Sequence, residues 1–241
     1  MKRTNTPKEL GILLDLDGTI VNSMFLMKDA FLSASSRVGV AINEDQQRRV
    51  GQALREIMKG RVTRLSEFRL IWRIGKILGL SWWKRTMLLS VAYPKLRRTA
   101  RSAPPFEGVT ETIRRLKENS SIKLALVTSR SRKDAIDKLH SIGILDKFDA
   151  VVTREDVRNF KPSPEQVKLA AEIMKLPVSR CVLVGDMPTD IEAAKSAGAF
   201  CAAVATGIFP EELKSEQPDL MIRSLADLPS LLTEILEMLD R

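Results

Sequence analysis

The sequence has one histidine, His140, two cysteines, Cys181 and Cys201, one tyrosine, and only 5% aromatic residues. With a single imidazole, a His-rich metal site or a Ser-His-Asp triad is difficult to build. His140 falls near the carboxyl end of an expected helix, where it reads as a helix-face residue. Each cysteine sits in a short apolar segment and reads as a buried small hydrophobe rather than half of a disulfide or metal pair. That usage points to a reducing compartment. No apolar run approaches the ~20 residues that span a bilayer. The basic amino terminus leads into an apolar stretch that Asp15 and Asp17 interrupt before it could serve as a signal-peptide core, so a cytoplasmic location is the expectation. Low-complexity tracts and internal repeats are also missing. The 241 residues, 44% hydrophobic and 29% charged, therefore read as globular, with room for one large domain or two modest ones.

What is present is alternation. Residues 11–14, 123–127, 149–152, 181–184 and 200–204 are short apolar runs. They are separated by helical-period stretches at 109–119, 132–142, 163–174 and 189–197, and a last helix is expected over about 226–239. Short buried strands alternating with helices predict an α/β fold with a parallel sheet. Pro164 sits near the first turn of its helix and Gly198 stops another. Between Ser23 and Ala103 the strand pattern disappears, and Pro104-Pro105 supplies a stiff return. Residues 22–103 are thus expected to form an all-helical insertion in a discontinuous Rossmann-like core of residues 1–21 and 104–241.

Four signals each follow an apolar run. Asp15-Leu16-Asp17-Gly18-Thr19 ends the first, and strand alternation puts Asp15 and Asp17 on one face. Thr128-Ser129 ends the second, Phe160-Lys161-Pro162-Ser163-Pro164 follows the third, and Gly185-Asp186-Met187-Pro188-Thr189-Asp190 ends the fourth. In a parallel sheet all four meet at the carboxyl ends of the strands, where open α/β sheets bind ligands.

In this order the motifs resemble the haloacid dehalogenase superfamily of phosphatases, over roughly residues 10–23 and 103–225. The likeness is greatest to the phosphoglycolate phosphatase and pyrophosphatase branch, in Asp-Gly-Thr-Ile-Val-Asn-Ser and Lys-Pro-Ser-Pro. The resemblance implies a Rossmann-like core with a mobile helical cap. Asp15 is expected to be the nucleophile that forms an aspartyl-phosphate. Asp17 is expected to protonate the leaving alkoxide and then deprotonate water. Thr128 and Lys161 are expected to stabilise the transferring phosphoryl oxygens. Gly18, Thr19 and Ser129 join Lys161 as expected substrate contacts. Asp15, Asp186 and the main-chain carbonyl of Asp17 form the expected cation site, and all-oxygen ligation beside phosphate favours Mg²⁺. Asp190 has two open roles, support of the cation or capping of its helix. An acid at position 17 places the chain with the phosphate-ester branch rather than the dehalogenases. Asn22 stands where many relatives carry an acid. The expected activity is hydrolysis of a small phosphorylated metabolite such as phosphoglycolate; inorganic pyrophosphate, a phosphomutase reaction, and polyanion or membrane binding stay open as alternatives.

The net charge of +9 is unevenly spread. Residues 22–105 carry 17 Lys and Arg against five Asp and Glu, so the basicity belongs to the insertion. A solvated basic face is the leading reading, ahead of a specific polyanion partner. Over residues 65–78, Arg69, Arg73 and Lys76 form a cationic stripe among Phe68, Leu70, Ile71, Trp72, Ile74 and Ile77. So broad an apolar surface needs cover, and packing in the core of the insertion is the leading expectation. A dimer contact and an interfacial membrane helix are the other readings, the last strengthened by Trp82-Trp83-Lys84-Arg85. Nucleic acid is disfavoured, since interleaved stacking platforms are lacking. Monomer and homodimer both stay open.

Overall fold

The structure, a computed structural model, describes residues 9–50, 66–207 and 210–240. Packing divides the chain into two compact units, residues 1–22 with 104–241 and residues 23–103.

The first unit is the α/β core. Its strands are β1 (Leu10–Leu14), β2 (Ile122–Val127), β3 (Ala150–Val152), β4 (Cys181–Gly185), β5 (Phe200–Val204) and β6 (Leu220–Ile222), in the spatial order β3-β2-β1-β4-β5-β6. Every neighbouring pair is parallel. All five residues of β1 are buried, as a strand covered on both faces requires. Register explains how one face packs. Leu13 lies opposite Ala125 and Leu183, and Leu183 opposite Cys201. These residues form one apolar cluster with Val167, Ala170 and Met174 of α6 (Glu165–Met174) and Ile191 and Ala194 of α7 (Pro188–Ala197).

The expected strands and helices all form, with shifted ends. Helix α6 begins at Glu165 rather than 163, because Ser163 precedes a proline and is steered away from helical geometry. The last helix begins at Leu228, since residues 225–227 form a 3₁₀ turn capped by Ser224. Strand β6 and the helix at Pro210–Ser215 were not anticipated; three and six residues are too short to carry a periodic signal. Both cysteines are buried and free. His140 is exposed near the end of α5 (Arg132–Ser141).

Among its described residues the second unit contains helices and no strand, with α1 (Ser23–Arg37), α2 (Ser66–Ile77) and α3 (Trp82–Ser102). Phe31, Ala34, Ile71, Ile74, Leu78, Leu88 and Ala92 form its buried centre, and Phe68 stacks on Tyr93 with ring centroids 4.1 Å apart. The apolar residues of α2 divide. Ile71 and Ile74 face inward as expected, but Trp72 is exposed, because the apolar arc is wider than the face that α3 covers. Leu65 lies outside the described residues. Among the described residues no helix is long and apolar enough to cross a membrane.

Candidate active site

Parallel register brings three of the four motifs to one edge. Leu14 pairs with Leu126 on one side and Val184 on the other, so Asp15, Thr128 and Asp186 all lie just beyond the carboxyl ends of adjacent strands. This is where the chain leaves β1 for opposite sides of the sheet, the point at which such sheets open a crevice. The Asp15 N–H still donates to Val184 O at 2.9 Å, extending the β1–β4 ladder into the site. Beyond it the chain turns through Gly18, whose φ of +82° favours glycine. The same residue is bare for a second reason: a Cβ there would overlap the Asp186 carboxylate. The turn returns at Val21, which bridges both Asp17 and Pro105, and Asn22 N–H donates to Pro104 O at 2.9 Å. The two connections to the insertion thus leave the core side by side.

Lys161 supplies the fourth motif. Its buried Nζ donates to Asp15 Oδ1 and Asp190 Oδ1, both at 2.5 Å, and to Val127 O at 3.1 Å. Gln166 holds this loop in place. It accepts from the Lys161 N–H at 3.2 Å and donates to Thr128 O at 2.9 Å, tying the third and second motifs together. Burial works against the Lys161 ammonium, but Asp15 and Asp190 more than offset it and hold its pKa above the ordinary lysine value.

The acids are crowded. Ligand oxygens of Asp15, Asp186 and Asp190 all lie within 4.8 Å of one another, and all three residues are buried. Burial raises the Asp15 pKa to about 7; Lys161 opposes the rise, and Asp190 and Asp17 add to it. Asp186 is pushed well above the usual carboxylate range, first by burial and then by Asp15 and Asp190. Both Asp186 carboxylate oxygens are buried with no hydrogen-bond partner. Buried carboxylates are ordinarily paired or bound to metal, so this orphaned pair is the observation that fits a cation. Asp190 is differently engaged: its Oδ2 accepts from the Met187 N–H at 3.0 Å, capping α7, while Oδ1 holds Lys161.

Asp17 is gripped by a residue the sequence reading did not single out. Arg130 Nε donates to Asp17 Oδ2 at 2.7 Å and Arg130 Nη2 to Oδ1 at 2.6 Å. Burial works against the guanidinium, but Asp17 more than offsets it and raises its pKa. The Arg130 N–H also donates to Thr128 Oγ1 at 3.2 Å. Thr19 is fully buried with its hydroxyl unpartnered. Ser129 is half-buried beside Thr128. Thr206, another residue not foreseen, donates its hydroxyl to Gly18 O. Arg130 follows the Thr128-Ser129 pair directly, and its cationic side chain beside a strand-end motif was the available signal. Gln166 and Thr206 carried none, because their contacts depend on loops that meet only in the fold.

A family model for haloacid dehalogenase-like hydrolases matches residues 12–204. The pyrophosphatase PpaX of Halalkalibacterium halodurans is 30% identical over 220 residues, covering 90% of this chain and 94% of that protein. The validoxylamine A 7′-phosphate phosphatase of Streptomyces hygroscopicus subsp. limoneus is 26% identical over 216 residues, or 89% and 93% of the two chains. Among solved structures, a predicted phosphoglycolate phosphatase from Haemophilus somnus 129PT shares the fold with a TM-score of 0.73 and 22% identity, covering 92% of this chain and 97% of that one.

Proposed function

The chain belongs to the haloacid dehalogenase-like hydrolase family, and from that premise we propose that it is a Mg²⁺-dependent phosphatase working through an aspartyl-phosphate on Asp15. The observation that carries the proposal is the buried Asp15–Lys161 pair beside an Asp186 carboxylate with no partner.

A carboxylate oxygen of Asp15 attacks phosphorus, and the bond from phosphorus to the leaving oxygen breaks as Asp17 supplies that oxygen with a proton. Water then attacks the phosphoryl-aspartate, Asp17 takes its proton, and inorganic phosphate leaves as Asp15 is restored. Lys161 orients Asp15 and offers a cation to the phosphoryl oxygens, and the Thr128 hydroxyl donates to another. Gly18, Thr19 and Ser129 lie on the two loops that would surround the phosphoryl group. Asp15, Asp186 and the main-chain carbonyl of Asp17 would hold Mg²⁺. The ion would neutralise charge on the phosphoryl group and relieve repulsion among the acids. Asp190 acts at one remove, by fixing Lys161 and capping α7.

The helical insertion takes the role of substrate-selecting cap, a reading supported by its two connections leaving beside the Asp17 turn. Inorganic pyrophosphate moves ahead of phosphoglycolate as the substrate to test, because a relative covering nearly the whole chain is named a pyrophosphatase. The phosphoglycolate phosphatase likeness, at 22% identity, supports the fold alone. A small phosphomonoester is the second reading, favoured by the name of another relative, a validoxylamine A 7′-phosphate phosphatase.

The test is phosphate release from pyrophosphate, phosphoglycolate, sugar phosphates and nucleotides, with and without Mg²⁺, for wild type beside Asp15→Asn. Metal-dependent turnover lost in the variant is the expected result. Turnover retained by Asp15→Asn would overturn the covalent route.

A further inference from the structure

The exposed tryptophans of the insertion take no part in its buried centre and have no role in the reaction steps proposed above. Among the described residues six large apolar side chains are exposed, and four of them, Trp72 (38%), Trp82 (72%), Trp83 (51%) and Met87 (44%), lie on α2 and the first turns of α3. The two helices approach closely at Gly75, where a Cβ would sit 2.9 Å from Arg85 Cγ. Arg85 ties the turn down by donating from Nε to Leu80 O at 2.7 Å. Its guanidinium lies over the Trp72 ring, 5.7 Å from the centroid, and Lys84 Nζ lies 5.5 Å from the Trp83 centroid. Trp72 and Trp83 are thus held against cations at the helical hairpin, next to exposed Trp82. From Phe68 to Ser102 the chain carries nine Lys and Arg and no Asp or Glu.

We propose that this hairpin docks the protein on a bilayer surface rich in anionic phospholipid, with Trp72, Trp82, Trp83 and Met87 entering the headgroup boundary and Arg73, Lys76, Lys84 and Arg85 meeting lipid phosphates. Indole rings favour the boundary between water and hydrocarbon, and basic residues beside them add attraction to an anionic leaflet. Each basic residue held near such a surface contributes about fivefold to partitioning. Single-stranded nucleic acid offers the same phosphates but requires open ring faces for its bases. Here cations already lie over Trp72 and Trp83. A second copy of the chain would bring charge of the same sign to the contact. An anionic lipid surface satisfies both the charge and the apolar area.

The three tryptophans of the chain are all in this patch, so intrinsic fluorescence reports on it alone. The experiment mixes the full chain with vesicles of equal phosphatidylglycerol and phosphatidylcholine, or of phosphatidylcholine alone. It follows Trp emission, quenching by brominated lipid, and co-sedimentation at about 0.1 and 0.5 M salt. Expected are a blue shift and quenching with the anionic vesicles, weakened by salt, and little binding to neutral ones. Trp82→Ser with Trp83→Ser should lower partitioning about tenfold or more. Lys76→Glu with Lys84→Glu should remove most of the salt-sensitive part. Both pairs lie outside the buried centre, and an unchanged thermal midpoint checks that they fold. The proposal is overturned by absent anionic-vesicle binding, or by binding that the tryptophan pair does not weaken, which would be mere adsorption of a basic protein. It is equally overturned by retention on single-stranded RNA without vesicle binding, or by lipid-free dimerisation that itself shifts the emission. None of these readouts depends on the phosphatase reading.

Discussion

Arg130 holds Asp17 at two points, Nε to Oδ2 at 2.7 Å and Nη2 to Oδ1 at 2.6 Å. A fork of this kind fixes the plane of the carboxylate as well as its position, which a lysine ammonium cannot do. An arginine fork favours the ionised carboxylate, so to act as proton donor Asp17 must give up one of these contacts and take up a proton; the remaining contact then sets its orientation toward the leaving oxygen. Arg130→Lys should then lower kcat about 10- to 100-fold, a part of the ~10²–10⁴-fold that positioned proton transfer supplies. The loss should be larger for an alkyl phosphate than for p-nitrophenyl phosphate, whose leaving group needs no proton. Steady-state kinetics on the two substrates check this, and equal losses would point to a merely structural arginine.

Asp186 is the least satisfied acid of the site, with both oxygens buried and unpartnered. Without a cation its charge opposes folding; with one it becomes a ligand. Asp186→Asn should therefore leave the metal-free protein at least as stable as wild type while abolishing the stabilisation that Mg²⁺ confers. For wild type that stabilisation should reach about 2.7 kcal/mol at 100 times the dissociation constant. Thermal unfolding with and without Mg²⁺ makes the comparison.

The folded-state pKa of Asp15 is raised from 3.8 to about 7, and burial drives it. In the metal-free protein the folded state consequently binds more protons than the unfolded one between these values. The stabilising contribution of protonated Asp15 is complete below about pH 4 and is lost as pH rises through about 7. Cation binding needs the ionised form, so protons must leave as Mg²⁺ enters. Apparent Mg²⁺ affinity should rise at least tenfold per pH unit toward 7, and the contribution of Asp15 should be complete above it. Asp186, whose pKa is also raised, steepens the rise. Calorimetric titration in two buffers of different ionisation enthalpy would detect the released protons.

Lys161 lies between Asp15 and Asp190 with almost no exposure. Lys161→Met would leave two buried carboxylates without their cation, a loss of about 3–5 kcal/mol for a broken buried pair. Adding Asp190→Asn removes one stranded charge and still presents an oxygen to the Met187 N–H, so the double variant should recover part of that loss. Denaturant unfolding of the two single variants and the double one measures the coupling. Strict additivity would mean that Asp190 and Lys161 act independently.

Most of the core could be read from the sequence, because parallel strands buried on both faces appear as short apolar runs such as 11–14 and 181–184. The acids of the site were legible for the same reason: each follows such a run, and parallel register carries Asp15 and Asp186 to one edge. Strand β6 was hidden by its length, three residues paired only to β5. Gln166 and Arg130 escaped for another reason. Their significance lies in contacts across 38 and 113 positions of chain, to Thr128 and Asp17; no local pattern encodes the first, and the one local sign of the second is a cation directly after the Thr128-Ser129 motif. Trp72 was misread toward the core because an apolar arc specifies burial only in proportion to the surface that covers it. Asp190 held two readings open, and the structure shows one oxygen capping α7 while the other holds Lys161.

Gly18 concentrates the geometric demands of the site into one position. Its φ of +82° is costly for any residue with a Cβ, and the missing side chain leaves the space that the Asp186 carboxylate occupies. Gly18→Ala should therefore act twice. The left-handed backbone alone should cost about 1–3 kcal/mol. The new methyl must also displace either the Asp15–Thr19 turn or Asp186, and both of these carry proposed Mg²⁺ ligands. Reduced stability should thus be accompanied by weaker Mg²⁺ affinity and a fall in kcat that excess Mg²⁺ only partly restores. The comparison is with Gly39→Ala, where φ is +68° but a Cβ meets nothing within 4 Å. That variant should share the backbone penalty without the loss of metal affinity. Unfolding and Mg²⁺ titration on the two variants separate strain from site geometry, and equal metal affinity in both would remove Asp186 from the cation site.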